Sequence, residues 1–473
     1  MQQNKGSWAK PSVYLFLGLS LAALSSKAQE RVPITLSKAI DIGIRNYPYL
    51  KAKQNYLNAA QALTRNARNE YLPNVIASLQ QNYGTINAQF GPLGAVGTLG
   101  VSSSGPFANQ QSWNAAFGGL YLVSTNWEVY TFGRVHSRVQ LSVAQEKRDS
   151  ADLEQETFVH RIKISGSYLN LLIAKQLVES GKSNLVRAQA VHESVRARAK
   201  SGLNAGVDSS LTKAEVSGAR LSLIEFVTNE QTGQRQLAEL LGISTTEILD
   251  PDTALFTKIP RILTTRYEVH QNPQLRFYRT RVDYADQLSA TIQKSILPGV
   301  TLFGVYQARA SGFSNSYNPE SLVGYNKGYW DGVNPSRYNY VAGVSLSWNM
   351  ISPIKIGQQV NAQRFIEAGY QNEYEQLDQQ LQNQLILSDQ KINNTLQSLR
   401  EVPVQFKAAS EAYIQKSVLY KNGLTTIVDL QQALYILNRA EIDLRVANIN
   451  VWLALLQKAA ASGDFDLFIN QAQ

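Results

Sequence analysis

The chain has no cysteine, four histidines and two methionines in 473 residues. Without thiols there can be no disulfide framework, cysteine-ligated zinc site, iron–sulfur cluster or thiol nucleophile. The histidines, His136, His160, His192 and His270, stand far apart, and no HExxH, G-x-S-x-G or GKS/T segment is present. The expectation is a protein that is not an enzyme, with no cofactor and no metal site. His160 and His192 fall in helix-forming sequence and read as solvated face residues. Charge is sparse as well. Asp, Glu, Lys and Arg make up 17 % of the chain, against 44 % hydrophobic residues. Of the formal net charge of +9, three units come from Lys5, Lys10 and Lys27. No basic run with interleaved aromatics follows, so nucleic-acid binding has no footprint. Beyond residue 28 no apolar stretch reaches the roughly 18 residues of a membrane-spanning helix. That excludes helical spans but leaves transmembrane β-strands open, whose signal is only about ten residues of alternation.

Residues 1–28 carry Lys5 and Lys10, then the apolar run Val13 to Leu24, then Ser26-Lys27-Ala28. A basic start, an apolar run of about a dozen residues and a small-x-small end describe a cleaved secretory signal peptide. The run is shorter than the roughly 20 residues that an N-terminal membrane anchor needs.

The remainder repeats itself. Pro48 recurs as Pro273 and Pro73 as Pro298, each about 225 residues on. Trp127 recurs as Trp348, and Gly202-Leu203 as Gly423-Leu424, each about 221 residues on. The two turns share one pattern, G-L-x-x-x-V-D: Gly202 to Asp208 and Gly423 to Asp429. Such agreement predicts a tandem duplication, with one repeat over 29–260 and a second over 261–473. Each repeat should hold a helix, a pair of strands and long helices. The first helix is expected from Thr35 to Asn69, ended by Pro73. Its strand pair lies within about 74–127, and that of the second repeat within about 299–348.

The strand ending at Trp348 is the clearest. Tyr338, Tyr340, Ala342, Val344, Leu346 and Trp348 share one side, and Asn339, Val341, Gly343, Ser345, Ser347 and Asn349 the other. An apolar side bounded by aromatics, opposite a small polar side, suits a barrel wall between lipid and water. Taken alone it also suits a soluble sandwich. The long segments decide between them. From Gly133 to Lys200, and from Ile354 to Asn422, the one proline is Pro403. Each predicts a rod of roughly 100 Å. Leu377, Leu381, Leu385, Ile392, Leu396 and Leu399 follow coiled-coil spacing, as do Ile427, Leu430, Leu434, Leu437, Leu444, Val451 and Leu455. Glu441 and Asn448 interrupt the second seam. Rods of this length have no globular core and must pack on one another.

At this point the sequence resembles the TolC-like outer-membrane efflux protein family over essentially the whole chain after the signal. The carrying residues are Leu36-Ser37-Lys38-Ala39-Ile40, Asn46-Tyr47-Pro48, Tyr71-Leu72-Pro73, Trp127 to Gly133-Arg134, and the two G-L-x-x-x-V-D turns. Tyr420-Lys421-Asn422, Gln432-Ala433, Leu453 to Leu456 and Ser462-Gly463 complete the set. The resemblance implies a mainly α fold with membrane β. Three protomers, four strands each, form a 12-stranded β-barrel in the outer membrane of a Gram-negative cell, continued by a long α-helical barrel in the periplasm. It implies a passive export duct of a tripartite efflux or secretion system. The partners would be a homotrimer, outer-membrane lipid, a periplasmic adaptor and an inner-membrane pump. The competing reading is a soluble periplasmic or surface coiled-coil scaffold.

The resemblance also assigns residues. Asp429 matches a carboxylate ring facing the pore entrance. Gln432 takes the place of a second acid, halving that ring's charge. Asp208 and Tyr420 match a pair that holds the entrance shut. Gly202, Leu203, Gly423 and Leu424 match the adaptor-docking turns, although Ser201 and Asn422 precede the glycines where the family has valine. The residues themselves leave a plainer reading open: an Asp beyond a glycine turn makes a good helix N-cap, and a glycine ends a helix.

Overall fold

The computed structural model describes residues 31–87, 93–96, 99–102, 110–202, 205–244, 248–256, 258–261, 269–318 and 320–472. The expected signal peptide lies outside them. The chain opens with a strand, β1 (Arg31–Ile34), and a helix, α1 (Leu36–Asn46). Helix α2 (Pro48–Arg68) then leads to β2 (Asn74–Thr85), the short strands β3 (Leu93–Val96) and β4 (Leu99–Ser102), and β5 (Ala115–Tyr130). Two long helices follow, α3 (Arg134–Lys200) and α4 (Gly206–Leu241), then β6 (Ile248–Pro251). The second half repeats the order: α5 (Pro273–Lys294), β7 (Gly299–Ser311), a short helix α6 (Tyr329–Val333), β8 (Arg337–Ser347), α7 (Ser352–Lys421) and α8 (Ile427–Ser462). Helix α9 (Asp466–Ala472) ends it.

The single helix expected over Thr35–Asn69 is two helices. Tyr47 precedes Pro48, and its ψ of 117° breaks the helical run. Pro48 then serves as the first residue of α2, where its missing N–H is no loss. In the second half Asn272 takes the equivalent place, its side chain capping the N–H of Gln274 ahead of Pro273.

Strands β2, β5, β7 and β8 form one antiparallel sheet in that order. Its two sides differ. Leu79 on β2, Tyr306 on β7 and Tyr340 and Val344 on β8 are exposed on one side, Tyr340 by 85 %. The other side of β8 carries Asn339, Ser345 and Ser347, and that of β7 Thr301 and Gln307. Among the described residues the outermost strands β2 and β8 each have one unpaired edge. Both tryptophans that mark the repeat do the same work. Trp127 Nε1 donates to Tyr71 O at 2.9 Å, and Trp348 Nε1 to Ile296 O at 3.0 Å. Each ties its strand near the helical end of the sheet to the backbone just after α2 or α5, so the two halves share this contact.

The segment from 312 to 337, read from sequence only as rich in Gly, Asn and Tyr, is folded onto the sheet. Phe313 stacks on Tyr325, Tyr329 of α6 meets Phe117 edge-on, and Tyr121 donates its hydroxyl to Val333 O at 2.8 Å.

The rods match the expected ones closely: α3 has 67 residues and α7 has 70, and Pro403 lies within α7 without ending it. At about 1.5 Å per residue each is roughly 100 Å long. Helix α3 packs on α4 and α7 on α8, while α5 bridges α3 and α7. Ile427, Leu430, Leu434, Leu437, Val451 and Leu455 of the α8 seam are buried. The main core lies part-way along the rods, where the parallel pair β1–β6 and helices α1 and α9 collect around Ile164, Leu169, Leu237 and Trp452.

Both breaks in the α8 seam make polar contacts to neighbouring segments. Glu441 accepts from Arg187 of α3 at 2.7 Å and from Arg445 at 2.8 Å. Asn448 donates to Phe256 O, and Trp452 Nε1 to Leu255 O at 3.2 Å. Asn448 thus catches the segment between β6 and α5, and Glu441 ties α8 to α3. His160 corrects the sequence reading. It is 3 % exposed, stacks on Tyr47 at 4.0 Å, and burial lowers its pKa. His192 is half-buried and pairs with Thr212 Oγ1 at 2.9 Å. Neither is a solvated face residue; the side of α3 they occupy is covered by other helices.

Candidate functional site at the hairpin tips

The two long hairpins turn at one end of the molecule. Asn422 ends α7, and Gly423 follows with φ +77°. Its N–H donates to Tyr420 O at 3.1 Å, and that of Leu424 to Leu419 O at 2.9 Å. This is a Schellman closure, which needs the left-handed conformation that glycine adopts without strain. Gly202 follows α3 in the same left-handed conformation, with φ +74° and its N–H on Ala199 O at 3.1 Å. Both glycines therefore do end helices. Leu424 is 72 % exposed, whereas Leu203 lies outside the described residues.

Asp429 is not an N-cap. Thr426 is the cap, accepting from Asp429 N at 3.2 Å, and Asp429 occupies the third helical position of a capping box. Its Oδ2 accepts from Thr425 Oγ1 at 2.8 Å, Thr426 Oγ1 at 3.0 Å and Thr426 N at 3.4 Å. Lys416 Nζ stands 3.9 Å from Oδ1. These bonds, that from Thr425 foremost, hold the carboxyl below the usual carboxylate range. Gln432 lies one turn on along α8 and is exposed, as Asp429 is. Asp208 stands in the first turn of α4, half-buried, its N–H on Ala205 O at 3.1 Å. It too lies beyond the cap position, which is Ala205.

Tyr420 is buried against Val195, Ile427 and Leu430, so its ring belongs to a small core joining α3, α7 and α8. Beside it lies a residue that the sequence reading missed. Arg198, in the last turn of α3, donates to Lys421 O at 2.6 Å and Tyr420 O at 3.4 Å. Its guanidinium also lies 5.6 Å from the centre of the Tyr420 ring. A cation there meets the last carbonyls and the negative dipole end of α7. A basic residue in the last turn of a long helix was a visible signal, but its partner on a distant helix was not. The tip thus holds a Tyr–Arg contact between the hairpins and the exposed carboxylate of Asp429. Among the described residues no cluster of His, Asp and Glu could hold a metal ion.

Residues 40–243 match the family model described as outer membrane efflux protein. No curated relative matches the sequence. Solved structures carry the likeness across the chain. The CmeC outer membrane channel of Campylobacter jejuni superposes with a TM-score of 0.74 at 13 % identity, covering 97 % of this chain and 94 % of that one. The outer membrane protein VceC of Vibrio cholerae gives 0.71 at 16 % identity, covering 90 % and 96 %. The MtrE outer membrane channel of Neisseria gonorrhoeae gives 0.68 at 15 % identity, covering 91 % and 89 %. At these identities the likeness is one of fold.

Proposed function

We propose, from the match of residues 40–243 to the outer membrane efflux protein model and the likeness of fold, that the chain is a member of that family and the outer-membrane duct of a tripartite export system. The observation that carries this is the four-stranded sheet. It has an apolar outward side, two unpaired edges and a direct join to rods of 67 and 70 residues. Open edges cannot stand in hydrocarbon, and four strands cannot close a barrel. Three copies close a 12-stranded barrel, and their rods continue the bore through the periplasm. The repeats divide near residue 260. The duct does no chemistry; an inner-membrane pump, reached through a periplasmic adaptor, supplies the energy. The turns at Gly202, Leu203, Gly423 and Leu424 form the adaptor's docking surface. Asp429 faces the entrance, with Gln432 one turn behind it. The Tyr420 hydroxyl and Asp208 latch the hairpins.

The test is planar-bilayer recording on the detergent-purified protein. A trimer that dissociates only on heating and opens single channels is expected, with larger conductance after Tyr420→Phe. A monomer that stays in solution without detergent overturns the duct in favour of a scaffold. Unchanged conductance in the variant removes the latch alone.

A further inference from the structure

The four sheet strands carry three charges between them. Glu128, at the helix end of β5, is paired with Arg134 of α3. The other two are Arg309 and Arg337, at the opposite end of the sheet and directly across the β7–β8 ladder from each other. Directly opposed residues point to the same side, with Cβ atoms about 5 Å apart, and like charges so placed repel. That side is the polar one: Arg337 shares it with Asn339, Ser345 and Ser347, and Arg309 with Gln307 and Thr301. Both arginines are exposed. Arg337 Nη1 donates to Ser336 O at 2.8 Å, which leaves most of its fork open. They line a hollow of about 640 Å³ with Ser311, Ser314, Asn315 and Ser336, and no carboxylate lines it.

Two guanidinium forks facing one hollow, with the hydroxyl and amide groups of Ser311, Ser314, Asn315 and Ser336 among the apolar Leu120, Ala310 and Phe313, suit a multivalent oxyanion. The geometry points to an anion site at the outer mouth of the duct, taking phosphate or carboxylate groups of a free solute. The inference rests on the duct reading, since three copies then set six guanidinium groups around one opening. A ring of one sign in a narrow, low-dielectric mouth concentrates counter-ions and governs what passes.

The probe is inorganic pyrophosphate, added to the outer side of trimers in phosphatidylcholine bilayers free of lipopolysaccharide. Wild-type channels should show a voltage-dependent fall in conductance. The Arg309→Gln, Arg337→Gln double variant should need at least tenfold more pyrophosphate for the same fall. Each single variant should need several-fold more, which keeps the test alive if the double variant does not assemble. The Arg→Lys pair, keeping the charge, should lie between wild type and the Gln pair. A conducting wild type without block, or block unchanged in the Gln variants, overturns the inference and leaves the duct intact. Block that requires added lipopolysaccharide assigns the arginines to a lipid headgroup and overturns the free-solute site. A wild type that never conducts overturns the duct itself.

Discussion

Asp429 first serves the fold, and the pore-facing role proposed for it must be read beside that one. Its Oδ2 is occupied by the helix start it helps to build, through Thr425 and Thr426. The carboxylate stays ionised because those bonds favour the charged form. Its folded pKa is lowered, so its stabilisation of the α8 start is complete above the unfolded value of 3.8 and is lost as pH falls through the lower, folded value. Asp429 therefore keeps its charge at any pH at which an ordinary aspartate does. Asp429→Asn keeps an acceptor oxygen for the capping bonds while removing the charge. The variant channel should assemble as wild type does and show a smaller cation preference, read as a reversal potential in a potassium chloride gradient. An unchanged reversal potential would assign Asp429 to the capping box only. The residue was legible from its place in the G-L-x-x-x-V-D turn; its helix position was not, because Thr426 competed for the cap and won.

Among elements, order and length were legible, and long-range pairing was not. Prolines and glycines fixed the boundaries. Pro48 and Pro273 start short helices, and Gly202, Gly242, Gly423 and Gly463 end long ones, all four with positive φ. Period-two alternation found β8, and the uninterrupted runs found α3 and α7. The break at Tyr47 was also written in the sequence, as a residue before proline, yet composition on either side suggested one continuous helix. The loop holding α6 was beyond local reasoning, because aromatic contacts such as Phe117 with Tyr329 draw on residues far apart in the chain. Glu441 is the same case: it broke a leucine seam, but its partner Arg187 lies 254 positions away. Its side chain is 9 % exposed and shared by two arginines. Removing one member of such a group leaves uncompensated buried charge, whereas an apolar replacement of the whole group can be neutral. Glu441→Ala should therefore cost about 3–5 kcal/mol, seen as an earlier midpoint in denaturant unfolding of the detergent-solubilised protein. The triple variant Arg187→Met, Glu441→Leu, Arg445→Leu should recover most of that loss. If the triple variant is as unstable as the single one, the group stabilises the α3–α8 contact by more than charge pairing.

For the whole molecule, the question is what covers the apolar surface that one chain leaves open. Tyr340, Val344 and Leu346 on β8 and Leu79 on β2 are exposed, as are Phe365 and Ile354 on α7. A scaffold in water would expose this surface as a large contiguous patch, which soluble monomers rarely tolerate. In the duct, lipid covers the sheet's apolar side and neighbouring copies cover strand edges and rods. Two adjacent residues separate these outcomes. Val344 and Ser345 are neighbours on one strand, pair with Leu302 and Thr301 of β7, and point to opposite sides. A lysine on the lipid side of a barrel near the membrane midplane costs about 2–4 kcal/mol per chain, while one on the water side costs little. Val344→Lys should abolish the heat-sensitive trimer band in outer-membrane fractions. Ser345→Lys should leave the band intact and shift ion selectivity toward anions. If both lysines are tolerated, neither side of the sheet meets lipid and the barrel is excluded. If Ser345→Lys alone prevents assembly, the sheet is inside out relative to the duct, and Arg309 and Arg337 face the membrane rather than the pore.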